Sequence, residues 1–165
     1  MEPKNYIFCP HCATKLFEAE LAGRSHNKCP SCSFIFWDNP VPVVAAIVEL
    51  AGNIVLARNR DWPEKWYGII TGFLDRGELP EAGILREVKE ELGLEGKIVS
   101  FIGHYLFEQK NQIIMVYHVR SEGEITLSDE LVDYKLVPPE KVKPWGLGTG
   151  PAVRDWLKAR GLLNE

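Results

Sequence analysis

The chain has no apolar run approaching the ~20 residues that a bilayer-spanning helix needs, and its start, Met1 to Phe8, carries no basic stretch followed by an apolar one. A soluble cytoplasmic protein with no membrane partner is the expectation that follows. Positive charge is also in short supply: the formal net charge is −4 and the pI is near 5.6. No global field draws such a chain to nucleic acid or to an acidic membrane, whose phosphates call for clustered Lys and Arg. There is no internal repeat and no low-complexity segment. No strand-turn-helix elbow carries a nucleophilic serine, which sets aside Ser-His-Asp hydrolysis. Cysteine is absent after position 32, so whatever the thiols do, they do locally.

What is present is enough apolar residue for one good core. At 165 residues and 45% apolar composition, one main domain with a small appendage is expected, not two full domains. The appendage is marked by Cys9-Pro10-His11-Cys12 and Cys29-Pro30-Ser31-Cys32, with sixteen residues between the pairs. Two residues between thiolates let a tight turn aim both sulfurs at one ion, and two such turns close a tetrahedral shell, so Cys9, Cys12, Cys29 and Cys32 are predicted to hold a structural Zn2+. A segment of about 36 residues cannot bury enough apolar surface to fold alone, and metal binding would supply the folding energy. Two other readings use the same thiols. A Cys-Pro-His-Cys dithiol lowered in pKa by His11 would be a redox motif, but it lacks the strand-helix setting of a redox fold. Disulfides fit a cytoplasmic protein poorly. With four thiolates present, His11 and His26 are expected to face solvent. Lys4, Lys15, Arg24 and Lys28 against Glu2, Glu18 and Glu20 make no basic patch, so the ribbon is expected to be structural, without nucleic acid as partner.

Residues 1–36 are thus assigned to a zinc ribbon, 37–42 to a linker punctuated by Pro40 and Pro42, and 43–165 to the main domain. Val43–Leu50, a turn at Ala51-Gly52-Asn53 and Ile54–Arg58 read as a hairpin. Residues 66–74 read as a strand entering a charged, glycine-bearing loop. Pro80 suits a first helical position and Gly93 a stop, with Ala82, Leu85, Val88 and Leu92 as the core-facing stripe. Gly83 inside this helix costs up to ~1 kcal/mol relative to alanine, which points to tight packing. Further strands are predicted at Lys97–Leu106, Ile113–Arg120 and Tyr134–Val137, with a last helix from Pro151 to Arg160 carrying Val153, Trp156 and Leu157 inward. Strands interleaved with helices imply an α/β fold in which a mixed sheet packs between helices.

Opposite the predicted stripe, Glu87, Glu90 and Glu91 stand at i, i+3 and i+4, within reach of one another on one helix face. Such carboxylates repel, and oxygen ligands of this kind select magnesium, manganese or calcium. Spacing alone fits equally a solvated charged face with Arg86 and Lys89 as neutralisers. The whole string from Gly72 to Leu94, however, resembles the Nudix box in full: Gly72, five residues, Glu78, seven residues, then Arg86-Glu87, an apolar residue, any residue, Glu90-Glu91, any residue, Gly93 and an apolar residue. The resemblance implies an α/β/α sandwich and hydrolysis of a nucleoside diphosphate linked to another moiety. It implies that Glu87, Glu90 and Glu91, helped by the carbonyl of Gly72, hold catalytic Mg2+ or Mn2+, and that Arg86 and Glu78 orient them. It further suggests an additional acid from a loop after the central strands. Asp129, Glu130 and Asp133 are placed for this, and Glu130 is the choice.

A four-cysteine ribbon joined to this box looks like the branch of NADH pyrophosphatases and related nucleotide hydrolases. Members that cleave NADH carry a Ser-Gln-Pro-Trp-Pro-Phe-Pro segment after the box. Here His104–Gln112 stands instead, so the expected substrate is a dinucleotide or nucleotide-sugar type diphosphate such as ADP-ribose, FAD or NADH, with reduced NAD not strongly preferred. Cleavage of a nucleoside triphosphate, or nucleotide binding without turnover, are the alternatives. A homodimer is compatible with the resemblance. Trp37, Trp62, Trp66, Tyr67 and Tyr105 are candidates for stacking on a base or for filling the core. Gly146-Leu147-Gly148-Thr149-Gly150 is a weak phosphate-loop candidate, and His104 and His118 are expected to be satisfied structural histidines.

Overall fold

The computed structural model describes residues 6–163. The chain divides into two compact units, one made of the described residues up to Val41 together with Gln109–Asn111, the other of Pro42–Glu108 and Gln112 onward. The first unit contains β1 (Phe17–Leu21), β2 (Arg24–Lys28) and β3 (Ile35–Phe36), an antiparallel three-stranded sheet in that order. Its small core is Cys9, Leu16 and Cys29, backed by Cys32 and Phe34. The Asn111 side-chain amide donates to the Asp38 carbonyl at 3.1 Å, and the Val41 N–H donates to the Asn111 carbonyl at 2.8 Å.

The second unit is organised on β4 (Val41–Leu50), whose near-continuous apolar sequence is that of a strand buried on both faces. Period-two alternation sorts its side chains. Val44, Ala46, Val48 and Leu50 enter one core with Ile84, Val88 and Leu92 of α1 (Pro80–Leu92). Val43, Ala45 and Ile47 enter the other with Ala152, Val153, Trp156 and Leu157 of α2 (Gly150–Ala159). This is the expected α/β/α sandwich. The sheet is completed by β5 (Asn53–Asn59), β6 (Ile70–Phe73), β7 (Glu95–Phe107), β8 (Gln112–Glu122) and β9 (Leu131–Val137), in the order β7-β8-β4-β5-β9 with β6 also on β4. Among the described residues no helix is long and apolar enough to cross a membrane.

One detail of the sheet makes room for chemistry. Along a single edge, β4 pairs with β6 through Val43↔Phe73 to Ala46↔Ile70 and with β5 only at Glu49↔Ile54 and Leu50↔Asn53. β5 and β6 therefore diverge from their shared partner, joined by an isolated bridge between Ala57 and Gly68. The strand expected over 66–74 is accordingly only the four residues of β6. Pro42, placed in the linker by sequence, lies inside β4, at its second residue, where a missing N–H is tolerated. The three ribbon strands carry no sustained alternation and escaped the sequence reading.

Candidate active site

Helix α1 begins at Pro80, which needs no hydrogen-bond acceptor for its nitrogen, and ends at Gly93, whose φ of 69° is the left-handed cap that glycine adopts without strain. Its orientation differs from the expected one. Ile84, Val88 and Leu92 are fully buried, Leu85 lies at the margin and Ala82 is exposed. The i, i+4 row faces the sheet, and at 3.6 residues per turn Glu91 lies only roughly 20° around the helix from Ile84. The carboxylates are consequently not opposite the apolar stripe. They fan out from its edge: Glu91 is partly buried, the Glu87 side chain is 13% exposed, and the Glu90 side chain is 58% exposed.

That geometry sets their charge. Burial pushes the Glu91 carboxyl up to about 8, and the neighbouring Glu87, Glu130 and Glu90 push the same way. Glu87 is raised as well, again chiefly by burial, against the pull of Arg86. Arg86 is the hub. Its Nε and Nη2 donate to the two oxygens of Glu78 at 2.9 Å each, Nη1 donates to Glu87 at 2.8 Å and Glu90 at 2.9 Å, and Nη2 also reaches the Phe73 carbonyl at 3.0 Å. The fork-on-carboxylate arrangement holds Glu78 down at about 2. The Asp75 N–H donates to Glu78 as well, at 3.1 Å, which ties the loop before α1 to the same hub.

Two glycines are explained by close approach. A Cβ on Gly72 would fall 1.9 Å from Cδ of Glu87, and one on Gly83 would meet Leu74 Cδ2 at 2.6 Å and Glu78 Oε2 at 2.9 Å. Glu87 is thus laid across the backbone of β6, and Gly83 lets the Glu78 loop close onto α1, the tight packing that its presence in a helix suggested. Glu130 stands on the exposed loop before β9. It lines with Glu91, Thr71, Ile70, Asn59 and Trp62 a cavity of about 90 Å³ at the β5–β6 divergence. Asp133 is turned to another task, accepting a hydrogen bond from Tyr67.

In the ribbon the four sulfurs converge. Cys9–Cys32, Cys12–Cys29 and Cys12–Cys32 are 3.6, 3.5 and 3.8 Å apart, against the ~3.8 Å edge of a tetrahedron with 2.3 Å metal–sulfur bonds. The Cys9 carbonyl accepts from Ala13 N–H at 2.8 Å, and the N–H groups of His11 and Ser31 point at Cys9 and Cys29 sulfur at 3.4 Å, as two matched turns would. Among the described residues these cysteines are the set of three or more metal-type side chains whose ligand atoms all lie within 4.8 Å of one another. The three helix carboxylates do not approach that closely, since Arg86 holds Glu87 and Glu90 while Glu91 points into the cavity.

Several weaker expectations are altered. His104 is exposed against Phe101 at 4.8 Å, not a satisfied core histidine, whereas His118 is fully buried with Nε2 2.9 Å from Glu49. His26 is partly buried beside Trp37. Gly150 belongs to α2, and its Cβ would lie 1.8 Å from the Trp145 carbonyl oxygen, so this glycine serves packing. His104–Gln112 forms the end of β7, a 3-10 turn and the first residue of β8. Sequence reasoning missed Arg60. It donates from N–H to the Glu130 carbonyl at 2.9 Å, and from Nε and Nη2 to the Asp129 carbonyl at 3.1 and 2.7 Å. Nothing in its Asn-Arg-Asp-Trp setting marked it.

A sheet lies between two helices, with a glutamate-rich helix laid over a glycine strand and its carboxylates tied together by one arginine. The chain belongs to the NUDIX family: the profile described as "NUDIX domain" matches residues 39–156. It is 34% identical over 119 residues to the NAD-capped RNA hydrolase NudC of Chromobacterium violaceum, covering 72% of this chain and 44% of that one. It is 33% identical over 92 residues to the mitochondrial NAD(P)H pyrophosphatase NUDT13 of Mus musculus, covering 56% and 26%. The chain thus spans less than half the length of these relatives. In structure it is similar to a NUDIX hydrolase from Nitrosomonas europaea, with a TM-score of 0.77, 19% identity and 94% of each chain covered. An ADP-ribose pyrophosphatase from Streptococcus suis gives a TM-score of 0.60 at 20% identity, covering 74% of this chain and 92% of that one. At these identities the structural likeness speaks to the fold.

Proposed function

We propose that this protein hydrolyses the phosphoanhydride bond of a nucleoside diphosphate derivative, of the dinucleotide or nucleotide-sugar type, with Glu87, Glu90 and Glu91 and the Gly72 carbonyl holding Mg2+ or Mn2+. The observation that carries this reading is the gathering of acidic side chains at one place: Arg86 ties Glu78, Glu87 and Glu90 together, while Glu91 of the same helix lines one cavity with Glu130. A divalent cation suits that oxygen donor set. When bound it would neutralise the diphosphate and acidify a water. The chain's own residues do the rest. Arg86 and Glu78 fix the direction of Glu87 and Glu90. Gly72 leaves Glu87 room over β6. Glu130, held in place by Arg60 through the backbone, stands ready to take the proton of the attacking water. Attack on phosphorus breaks one P–O bond and gives two monophosphates.

The activities for which the relatives are named, on NAD-capped RNA and on NAD(P)H, and that of the ADP-ribose pyrophosphatase, support a diphosphate joined to a nucleoside on at least one side. With one unit on each side, binding energy from both ends can position the scissile bond. The absence of the NADH-type segment at His104–Gln112 argues that reduced NAD is not strongly preferred. The same reading keeps residues 1–36 as a zinc ribbon, 37–42 as a linker and 43–165 as the hydrolase domain. The test is a nucleotide panel with magnesium and product identification. Two monophosphates from ADP-ribose, FAD or NADH are expected. Highest kcat/KM on a nucleoside triphosphate, releasing pyrophosphate, would move the substrate class. Binding without magnesium-dependent products would leave a nucleotide-binding protein.

A further inference from the structure

Five aromatic residues offer themselves for stacking, and the structure separates them. The Tyr67 hydroxyl is bonded to Asp133, and Lys135 Nζ lies 3.7 Å over its ring. Tyr105 donates to Asp155 at 2.8 Å. Trp66 is 60% exposed and does not border the cavity, and Trp37 belongs to the other unit. Trp62 alone of the five lines the cavity that Glu91 and Glu130 share.

We infer that Trp62 is the platform on which the heteroaromatic base of the substrate stacks, with Gly68 as the seat of the indole. This rests on the hydrolase reading above and deepens it. The indole is 39% exposed at the rim of a polar site, not enclosed as a core aromatic would be. The outer edge of its six-membered ring rests against Gly68, where an added Cβ would come within 3.1 Å of both Cζ3 and Cη2. Gly68 is itself fixed by two 2.9 Å backbone bonds with Ala57. The turn before it is fixed too. Trp62 N–H donates to the Asn59 carbonyl at 3.1 Å, and the Asn59 side-chain oxygen accepts from Asp61 N–H at 3.1 Å.

Arg60, between these residues, bonds the carbonyls of Asp129 and Glu130. The turn that bears Trp62 and the loop that bears Glu130 therefore share one hydrogen-bonded frame across the β5–β6 divergence. A base laid on the indole would have its diphosphate directed toward Glu91 and Glu130, and a platform fixed beforehand loses little entropy on binding. Stacking accepts any ring with a π-face, so this contact selects for a base without choosing which one.

The experiment compares wild type with Trp62→Ala, Trp62→Phe and Gly68→Val on ADP-ribose and on a dialkyl diphosphate that has no ring, alongside calorimetric titration with ADP in magnesium. Removing one base–aromatic stack should raise KM for ADP-ribose by about tenfold or more and weaken ADP equally, with kcat within roughly threefold. Trp62→Phe should recover most of the loss, Gly68→Val should reproduce it by displacing the indole, and the ring-free substrate should be indifferent throughout. Unchanged KM and ADP affinity in both Trp62→Ala and Gly68→Val would overturn the inference. So would an equal loss on the ring-free substrate that phenylalanine does not rescue, which is the mark of a merely structural residue. Should Trp62→Ala fail to fold, the Phe and Gly68 variants decide. If the wild type turns over nothing, the hydrolase reading fails, and the ADP titration still judges Trp62.

Discussion

A Cβ placed on Gly72 would stand 1.9 Å from the carboxyl carbon of Glu87, so the first residue of the glutamate motif and its first helical carboxylate occupy one space. Gly72→Ala should therefore displace Glu87 from β6 and Arg86 with it. Misplacing a catalytic group by about 1 Å costs on the order of a hundredfold in rate, and this loss is expected in kcat. Overpacking should also lower stability by about 1–3 kcal/mol. Denaturant unfolding measured beside steady-state rates separates the two effects. An alanine variant with wild-type kcat would show that Glu87 does not need that position.

Glu90→Gln and Glu91→Gln should each lower turnover roughly hundredfold or more with magnesium, as loss of a metal-orienting carboxylate does. Their behaviour without metal should differ. The folded-state value of Glu91 is raised to about 8, so folding favours its neutral form. Stability from this group is complete below its ordinary carboxylate range and is lost as pH rises through about 8. Metal-free Glu91→Gln should then melt higher than metal-free wild type at pH 9 and nearly equal to it at pH 5. Relief of only about 1–2 kcal/mol would appear as roughly 3–6 °C. A Glu91→Gln protein that is both fully active and no more stable would remove Glu91 from the site.

Zinc and magnesium should be separable because their ligands differ in softness. One tightly held zinc per chain is expected by elemental analysis, lost with Cys9→Ser or Cys32→Ser, while magnesium exchanges freely on dialysis. Zinc-free protein with reactive thiols at Cys9 and Cys12 would favour the redox alternative.

His118 gives a prediction of opposite sign. Burial, followed by the nearby Arg160, lowers its value below the usual imidazole range, although the bond to Glu49 pulls the other way and Arg120 lies 3.7 Å from the same carboxylate. A depressed folded value means that the stabilisation is present above the ordinary value of about 6.5 and is lost progressively as pH falls from there through the lower folded value. Between pH 7 and 5 the unfolding free energy should drop by at most about 1.4 kcal/mol per pH unit from this group. His118→Gln should flatten that slope even if it lowers stability overall. Equal slopes in both proteins would mean that His118 binds its proton alike in the folded and unfolded states.

Much of this architecture was legible because it rests on local rules. The apolar run of β4, the turn at Gly52, the proline start and glycine stop of α1 and the doubled Cys-Pro-x-Cys all act within a few residues, where steric preference and spacing decide the outcome. The same holds for the order of the glutamates. What periodicity misjudged was the rotation of α1. Leu85 packs against the core only at its margin and Ala82 is exposed, whereas Ile84 is the residue that is fully buried, and Glu91 follows it partly inside.

The sequence by itself determined the helices and the first hairpin of the main domain, the sulfur quartet and the membership of Arg86 and the glutamates in one motif, since each is written in neighbours along the chain. Only the tertiary structure decided the charge state of Glu91, the burial of His118 against Glu49 and the meeting of Trp62 with Glu130 through Arg60. Those relations join residues about 40 to 70 positions apart. They depend on how β5 and β6 part from β4 and on how far each side chain is withdrawn from water, and no local pattern encodes either.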